Sequence, residues 1–276
     1  MSSFVSVPTQ LRPVEEVIAG IRNGGRAVVA LSGGVDSSLV AALAFSALGR
    51  DALAVTLTGP AVSHGEVSRA ERVAASIGIA HVLLTVNPLA RTEYRENRAD
   101  RCYFCRSVET SALREFGATR SFAQYLDGVH RDDLTDERPG LRAMDEAGFT
   151  HPLLRAGWGK AEVRAEARRR GLPNWDQPSD ACLASRIAHG EPVSKELLER
   201  VESAEAILLS LGFRRVRVRV REGAARIEVD PSELTRLRAE PLASKVTREV
   251  ERLGFTTVTI DPRGYPGASL ELPTLP

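Results

Sequence analysis

The segment Leu31-Ser-Gly-Gly-Val-Asp-Ser-Ser38 constrains this chain more than any other stretch. An apolar run, Ala27 to Leu31, leads into it, and Leu39-Val-Ala-Ala-Leu-Ala44 continues from it in helical character. The order is therefore strand, Gly-Ser turn, helix start. Ser32, Gly33 and Gly34 leave room for backbone N–H groups to wrap an anion. Ser37 and Ser38 add hydroxyls, and the helix N-terminus brings its positive dipole end to the same point. The turn has no Lys, so it departs from the Walker pattern, in which Gly-Lys-Ser/Thr reaches the outer phosphates. An ordinary Gly-rich connection is the plain alternative. Glycines, hydroxyls and Asp36 together point instead to a bound nucleotide.

The 276 residues are 43% hydrophobic and 26% charged, with a net charge of +1. This is the composition of a soluble globular chain, long enough for one large domain and a smaller one. Near-neutral charge gives no overall pull toward nucleic acid, and a local basic face stays open. No stretch approaches the roughly 18 apolar residues of a membrane span. Met1 to Val14 has no basic-then-apolar leader, so the expected location is cytoplasmic. Three cysteines are too few, and odd in number, for a disulfide scaffold.

Apolar, β-rich runs (Ala27–Leu31, Ala52–Leu57, His81–Val86, Ser121–Leu126) alternate with helical stretches near Ser37–Leu48, Gly65–Ile77, Arg98–Phe116 and Pro139–Ala147. The alternation predicts an α/β fold, a parallel sheet with helices on both faces, whose ligands sit beyond the carboxyl ends of the strands. A helix over Gly159–Arg170 stops at Gly171-Leu-Pro173, and Asn174–Pro192 reads as a long functional loop. Beyond it the pattern changes to a helix (Lys195–Leu211), a strand pair (Phe213–Val220, Ala225–Val229), one or two helices within Pro231–Leu253 and a strand (Phe255–Ile260). The division is therefore residues 1–190 and a smaller α+β domain, 191–276.

The three cysteines form one set: Cys102 and Cys105 in Arg-Cys-Tyr-Phe-Cys-Arg, and Cys182 in Ala181-Cys-Leu-Ala-Ser-Arg186. Singly, each reads as a small buried residue, and Cys102 with Cys105 also has the spacing of a redox pair. Taken together, CxxC plus a distant Cys suits an iron–sulfur cluster with one iron left open, provided the thiols converge. Zinc suits the set less, because a closed structural site wants a full ligand set and the histidines lack finger-like spacing. Arg101, Arg106 and Arg186 would favour thiolates if they lie close. After the fourth strand, Asp127-Gly-Val-His-Arg-Asp-Asp-Leu-Thr-Asp136 brings Gly128 and several carboxylates to the ligand edge. Asp132, Asp133 and Asp136 either help hold the magnesium that accompanies ATP or form a solvated acidic loop. Arg215-Val-Arg-Val-Arg-Val-Arg221 alternates as a strand with one apolar face and an arginine face. That face is either simple solvation or recognition of phosphate and carboxylate. Glu228, on the next strand, pairs with an arginine or recruits a cation.

The loop Ser32–Ser38 resembles the PP-loop of enzymes that split ATP into AMP and pyrophosphate. With it, Arg101–Arg106, Asp127–Arg142, His151-Pro-Leu-Leu154, Ala181–Arg186, Val216–Arg219 and Ala225–Val229 resemble the LarE-type ATP-dependent sulfur transferases, which build the nickel-pincer nucleotide cofactor of lactate racemase. The resemblance covers residues 15 to 260. It implies a PP-loop (adenine nucleotide alpha hydrolase-like) fold. The activity it implies is adenylation of a carboxylate of pyridinium-3,5-biscarboxylic acid mononucleotide, followed by conversion to a thiocarboxylate. Ser32, Gly33, Gly34, Asp36, Ser37, Ser38 and Gly128 would then bind ATP, with Asp36 catalytic. Arg217 and Arg219 would take the substrate's phosphate and carboxylates, Ser185 and Arg186 would stand beside the sulfur donor, and Glu228 would position a cation or an arginine. Some members sacrifice a cysteine at the position of Cys182. Others use cysteines resembling Cys102, Cys105 and Cys182 to hold a 4Fe–4S cluster whose open iron carries sulfide, the route implied here. A sulfide or other sulfur donor and a homo-oligomer, such as a hexamer, are also implied. Two departures touch substrate fit: His130 where an amide is expected, and Ala188-His189 where the family often has an aromatic residue.

A tRNA thiolase of the same superfamily also combines a PP-loop with cysteines, but it predicts a broad basic surface and salt-dependent RNA binding. An amide-forming relative of NAD or GMP synthetase leaves the cysteines unused. A non-enzymatic binding module explains neither feature.

Overall fold

The structure, a computed structural model, describes residues 10–135, 139–178 and 180–265. The chain forms two compact units: one runs to Ala90 and resumes from Asp100 to Asp180, the other takes Arg91–Ala99 and the chain from Ala181.

In the first unit, β1 (Ala27–Ala30), β2 (Ala52–Thr58), β3 (Ala80–Thr85) and β4 (Gln124–Leu126) make a four-stranded sheet in the order β3-β2-β1-β4. Every pairing is parallel. Strand side chains alternate between two cores, as a sheet covered on both faces requires. Ala27, Val29, Ala52, Ala54 and Leu126 join one core with α1 (Val14–Asn23), α2 (Val35–Leu48), α3 (His64–Ile77) and α8 (Lys160–Arg169). Val28, Val55 and Tyr125 face the other, with Leu113 and Phe116 of α5 (Arg101–Ala118) and Met144 of α6 (Pro139–Glu146). Short helices α4 (Thr92–Arg95) and α7 (Pro152–Arg155) complete the order through residue 180, α4 belonging to the second unit.

Local sequence explains these elements. Apart from Asp36 and Phe45, α2 is a run of Ala, Leu, Val and Ser without Gly or Pro, buried from Ser37 through Ala44. α3 begins with a capping box in which Ser63 and Glu66 satisfy each other's backbone N–H groups, and it ends at left-handed Gly78. The expected strand Ser121–Leu126 is shorter: Ser121 has φ +58°, and Phe122 N–H turns back to Gly117 O. Helices α1, α4 and α7 have no counterpart among the stretches expected from sequence.

The strand order places the site. β1 leads outward to β2 on one side, and β4 lies on its other side. The turns leaving β1 and β4 therefore diverge at a topological switch point, where open α/β sheets bind ligands.

In the second unit, α9 (Lys195–Ser210) precedes an antiparallel hairpin of β5 (Val216–Arg221) and β6 (Ala224–Val229). Glu222 and Gly223 both have positive φ, the two-residue turn that suits strand twist. After α10 (Leu234–Arg238) and α11 (Leu242–Glu251), β7 (Val258–Ile260) pairs parallel to β6. The expected alternation of β5 is present: Val216, Val218 and Val220 are buried, while Arg217, Arg219 and Arg221 face the other way. Besides Arg91–Ala99, the unit takes the chain from Ala181, ten residues before the boundary read from sequence. The 91–99 segment belongs here because Asn97 Nδ2 donates to Ala188 O at 2.8 Å and Val193 N–H to Arg95 O at 2.8 Å. Among the described residues, no helix is long and apolar enough to cross a membrane.

Candidate functional site

The loop after β1 is built to present donors. No side chain caps α2, whose N-cap is Gly34, so its first-turn N–H groups have no partner within the helix. Ser32 Oγ and Ser37 Oγ lie 3.0 Å apart, and Ser38 Oγ donates to Gly34 O at 2.7 Å. Gly33 takes φ +77°, and a Cβ there would come within 2.9 Å of Ala70 N on α3. Asn174 roots the later loop here: its Nδ2 donates to Gly33 O at 2.8 Å and Ser38 Oγ at 2.9 Å, while its buried Oδ1 has no hydrogen-bond partner. The turn after β4 closes from the other side. A Cβ on Gly128 would fall 2.5 Å from Ser37 N, so only glycine lets the two backbones approach.

The cation that the loop itself lacks comes from elsewhere. Lys160, at the start of α8, places Nζ 2.8 and 2.7 Å from the two carboxylate oxygens of Asp36. The Lys160 backbone N–H donates to Asp132 at 2.7 Å, which holds that carboxyl below its usual range. His130 is buried, with Nε2 3.7 Å from Asp36 and Nδ1 3.5 Å from Asp133. Asp132 and Asp133 thus both have partners at the loop mouth, and Asp136 lies outside the described residues. Sequence reasoning missed Lys160, although a clue was present: among the 37 basic residues only Lys160, Lys195 and Lys245 are lysines.

Behind Gly128, His151 is held between two carboxylates. Its Nδ1 is 2.7 Å from Asp127 Oδ2 and its Nε2 is 2.8 Å from Asp145 Oδ1. Asp127 Oδ1 also accepts Val129 N–H at 2.9 Å, fixing the turn. Burial opposes a charged imidazole here, but hydrogen bonds and charge from Asp127, then from Asp145, outweigh it and raise the His151 pKa.

Cys102 and Cys105 lie one turn apart near the start of α5, on one side of the helix, Cys102 exposed and Cys105 half-buried. Cys182 is half-buried in the second unit. Among the described residues, no three or more His, Cys, Asp or Glu side chains are gathered as a metal-holding group.

In the second unit the Cys182 loop lies along β5. Arg219 Nη1 donates to Ser185 O at 3.0 Å and Ala188 N–H to Val220 O at 3.0 Å. Glu228 is buried between Arg219 (3.1 Å) and Arg226 (3.1 Å), so it pairs with arginines. Arg217 packs its guanidinium 5.1 Å from the Tyr265 ring centre. Arg186 is almost wholly buried and is engaged with Glu205 and with backbone carbonyls rather than presented to solvent. Arg226 and Glu205 were not singled out from sequence: one sits off the arginine run, the other inside an ordinary amphipathic helix.

The sequence profile of the NAD synthase family matches residues 14–114. An uncharacterized protein of Synechocystis is 39% identical over 245 residues, covering 89% of this chain and 91% of that one. The pyridinium-3,5-bisthiocarboxylic acid mononucleotide synthase of Lactiplantibacillus plantarum is 33% identical over 250 residues, 90% of each chain. The tRNA-specific 2-thiouridylase MnmA of Rhodospirillum rubrum is 30% identical, over 67% of this chain and 59% of its own.

Two outcomes follow from this geometry. Gly128→Ala forces a methyl against Ser37 N, at a cost of about 1–3 kcal/mol. Calorimetric titration of ATP should then show a Kd raised about 5- to 150-fold. For His151, the folded pKa lies above the ordinary value of 6.5. Its contribution to stability is fully present below the unfolded pKa and is lost as pH rises through the folded pKa. Thermal melts should show that loss in the parent chain and not in His151→Gln; parallel profiles would refute the assignment.

Proposed function

Because this chain belongs to the LarE-type family of pyridinium-3,5-bisthiocarboxylic acid mononucleotide synthases, we propose that it is an ATP-dependent sulfur transferase acting on pyridinium-3,5-biscarboxylic acid mononucleotide. Its product would be a thiocarboxylate on the way to the nickel-pincer cofactor of lactate racemase. The observation that carries the reading is the loop after β1, lined with hydroxyls and backbone donors and faced by the Lys160–Asp36 pair.

The chemistry follows from that arrangement. Magnesium–ATP enters as substrate, with its outer phosphates on the first turn of α2 and the hydroxyls of Ser32, Ser37 and Ser38. A carboxylate oxygen of the mononucleotide attacks the α-phosphorus, and the bond to the bridging oxygen breaks. The departing pyrophosphate gains charge, which Lys160 and the fixed N–H groups stabilise without reorganisation. Asp36 holds Lys160 in place before the nucleotide arrives. Sulfur then attacks the acyl carbon and AMP leaves with the carboxylate oxygen, a far better leaving group than oxide. Arg217 and Arg219 suit the phosphate and carboxylate of the mononucleotide, because a guanidinium binds such groups through paired hydrogen bonds.

Sulfur delivery is the finer part of the reading. Cys102, Cys105 and Cys182 would hold a 4Fe–4S cluster, which when bound supplies an open iron as a carrier for sulfide. The cysteine count and the spacing of Cys102 and Cys105 support this route. Sacrifice of the Cys182 sulfur is the alternative, and Cys182 is common to both. A homo-oligomer in the cytoplasm completes the reading. The similarity to MnmA keeps a tRNA thiolase as the competitor.

ATP–pyrophosphate exchange separates them. Exchange should require the biscarboxylate mononucleotide and ignore bulk tRNA, and Lys160→Met should slow it about 100-fold or more. Exchange supported by tRNA alone, or an unchanged rate in Lys160→Met, would contradict the proposal.

A further inference from the structure

We propose that Glu205 is a positioning residue for sulfur transfer, which acts through Arg186 to fix the loop carrying Cys182 onto the strand carrying Arg217 and Arg219. The inference rests on the reading that Cys182 takes part in sulfur transfer, either as a ligand of the sulfide-carrying cluster or as the sulfur donor itself.

All the contacts lie within the second unit. Arg186 and Glu205 are 3% and 8% exposed. Their groups meet fork to fork, with Nε to Oε1 at 2.9 Å and Nη2 to Oε2 at 3.1 Å. The remaining nitrogen, Nη1, donates to Cys182 O at 3.0 Å, to Ser185 Oγ at 3.1 Å and to Ala181 O. Glu205 Oε1 also accepts Val218 N–H at 3.0 Å, and Val218 stands between Arg217 and Arg219 on β5. One carboxylate thus ties the backbone at Cys182 to the centre of the arginine strand.

Stability alone does not account for the pair. Taking two charges out of water is expensive, and an apolar pair of similar volume often serves a core as well or better. An apolar pair cannot hold the carbonyls of Ala181 and Cys182. Those carbonyls set the direction of the Cys182 side chain, and attack on an acyl carbon is sensitive to direction and distance. Arg186 is therefore spent on the loop, and recognition of the mononucleotide falls to Arg217 and Arg219.

Glu205→Gln is the discriminating variant. It keeps the volume and an acceptor for Val218 N–H, but turns an amide NH2 against the guanidinium. In the full chain, sulfur transfer should fall about 10- to 100-fold in kcat, with ATP–pyrophosphate exchange and the KM for the mononucleotide held within about twofold. A second readout is independent of turnover. In iron-free full chain treated with iodoacetamide, mass spectrometry gives the alkylation of Cys182 relative to Cys102 in the same molecule. That ratio should change about fivefold or more in Glu205→Gln. Arg186→Lys keeps the charge without the fork, so it should also shift the ratio and slow transfer, and it keeps the test decisive should the Gln variant not fold. An unchanged ratio and transfer rate in both variants would overturn the proposal. So would equal loss of exchange and transfer with all cysteines more reactive, or failure of both variants to fold, because each marks a purely structural pair. Failure of the underlying reading looks different: the parent chain with Cys182→Ala would still transfer sulfur.

Discussion

The close approach of two backbones at the switch point governs the first unit. Gly128, leaving β4, lies against Ser37 N on α2, where a single methyl would collide. That contact brings the first turn of α2 and the Asp127–His130 turn to the same crevice. From this follow the use of helix N–H groups as an anion cradle, the burial of His130 beside Asp36, and the bracing of Asp127 by His151. Lys160, delivered by the start of α8, completes the electrostatics. A loop without lysine and a lysine without a loop become one site only in the folded chain.

The two units manage charge differently. In the first, polar groups at the sheet edge are arranged for a polyanion, with N–H groups, hydroxyls and one lysine. In the second, most of the buried charge is already paired: Glu205 with Arg186, and Glu228 with Arg219 and Arg226. These pairs cost desolvation, so their return is geometric rather than energetic. They hold Ser185 and Cys182 in register with β5.

Much of this was legible in the sequence because it is local or periodic. The Ser32–Ser38 loop, the alternation of β5 and the strand–helix alternation each depend on neighbours a few residues apart. Lys160, Asn174 and Glu205 were not legible, because their roles depend on partners 124, 141 and 13 residues away. The boundary near residue 190 rests on a change in pattern, and no pattern in the sequence signals that the 91–99 segment joins the second unit, where Asn97 and Arg95 bind the backbone of residues 188 and 193. Arg186 is expected beside the sulfur donor from its place in the motif, and it donates to the backbone carbonyl of Cys182. Its burial against Glu205 shows a group committed to the protein.

In the proposed reaction ATP activates a carboxylate of the mononucleotide, and sulfur then displaces AMP from its acyl carbon. Oxygen tracing tests it most directly. If the carboxylates of the biscarboxylate mononucleotide carry heavy oxygen, a single turnover should leave label in AMP and none in pyrophosphate, because the displaced oxygen departs on the α-phosphate. Sulfur incorporated into the mononucleotide alongside unlabelled AMP would contradict the account.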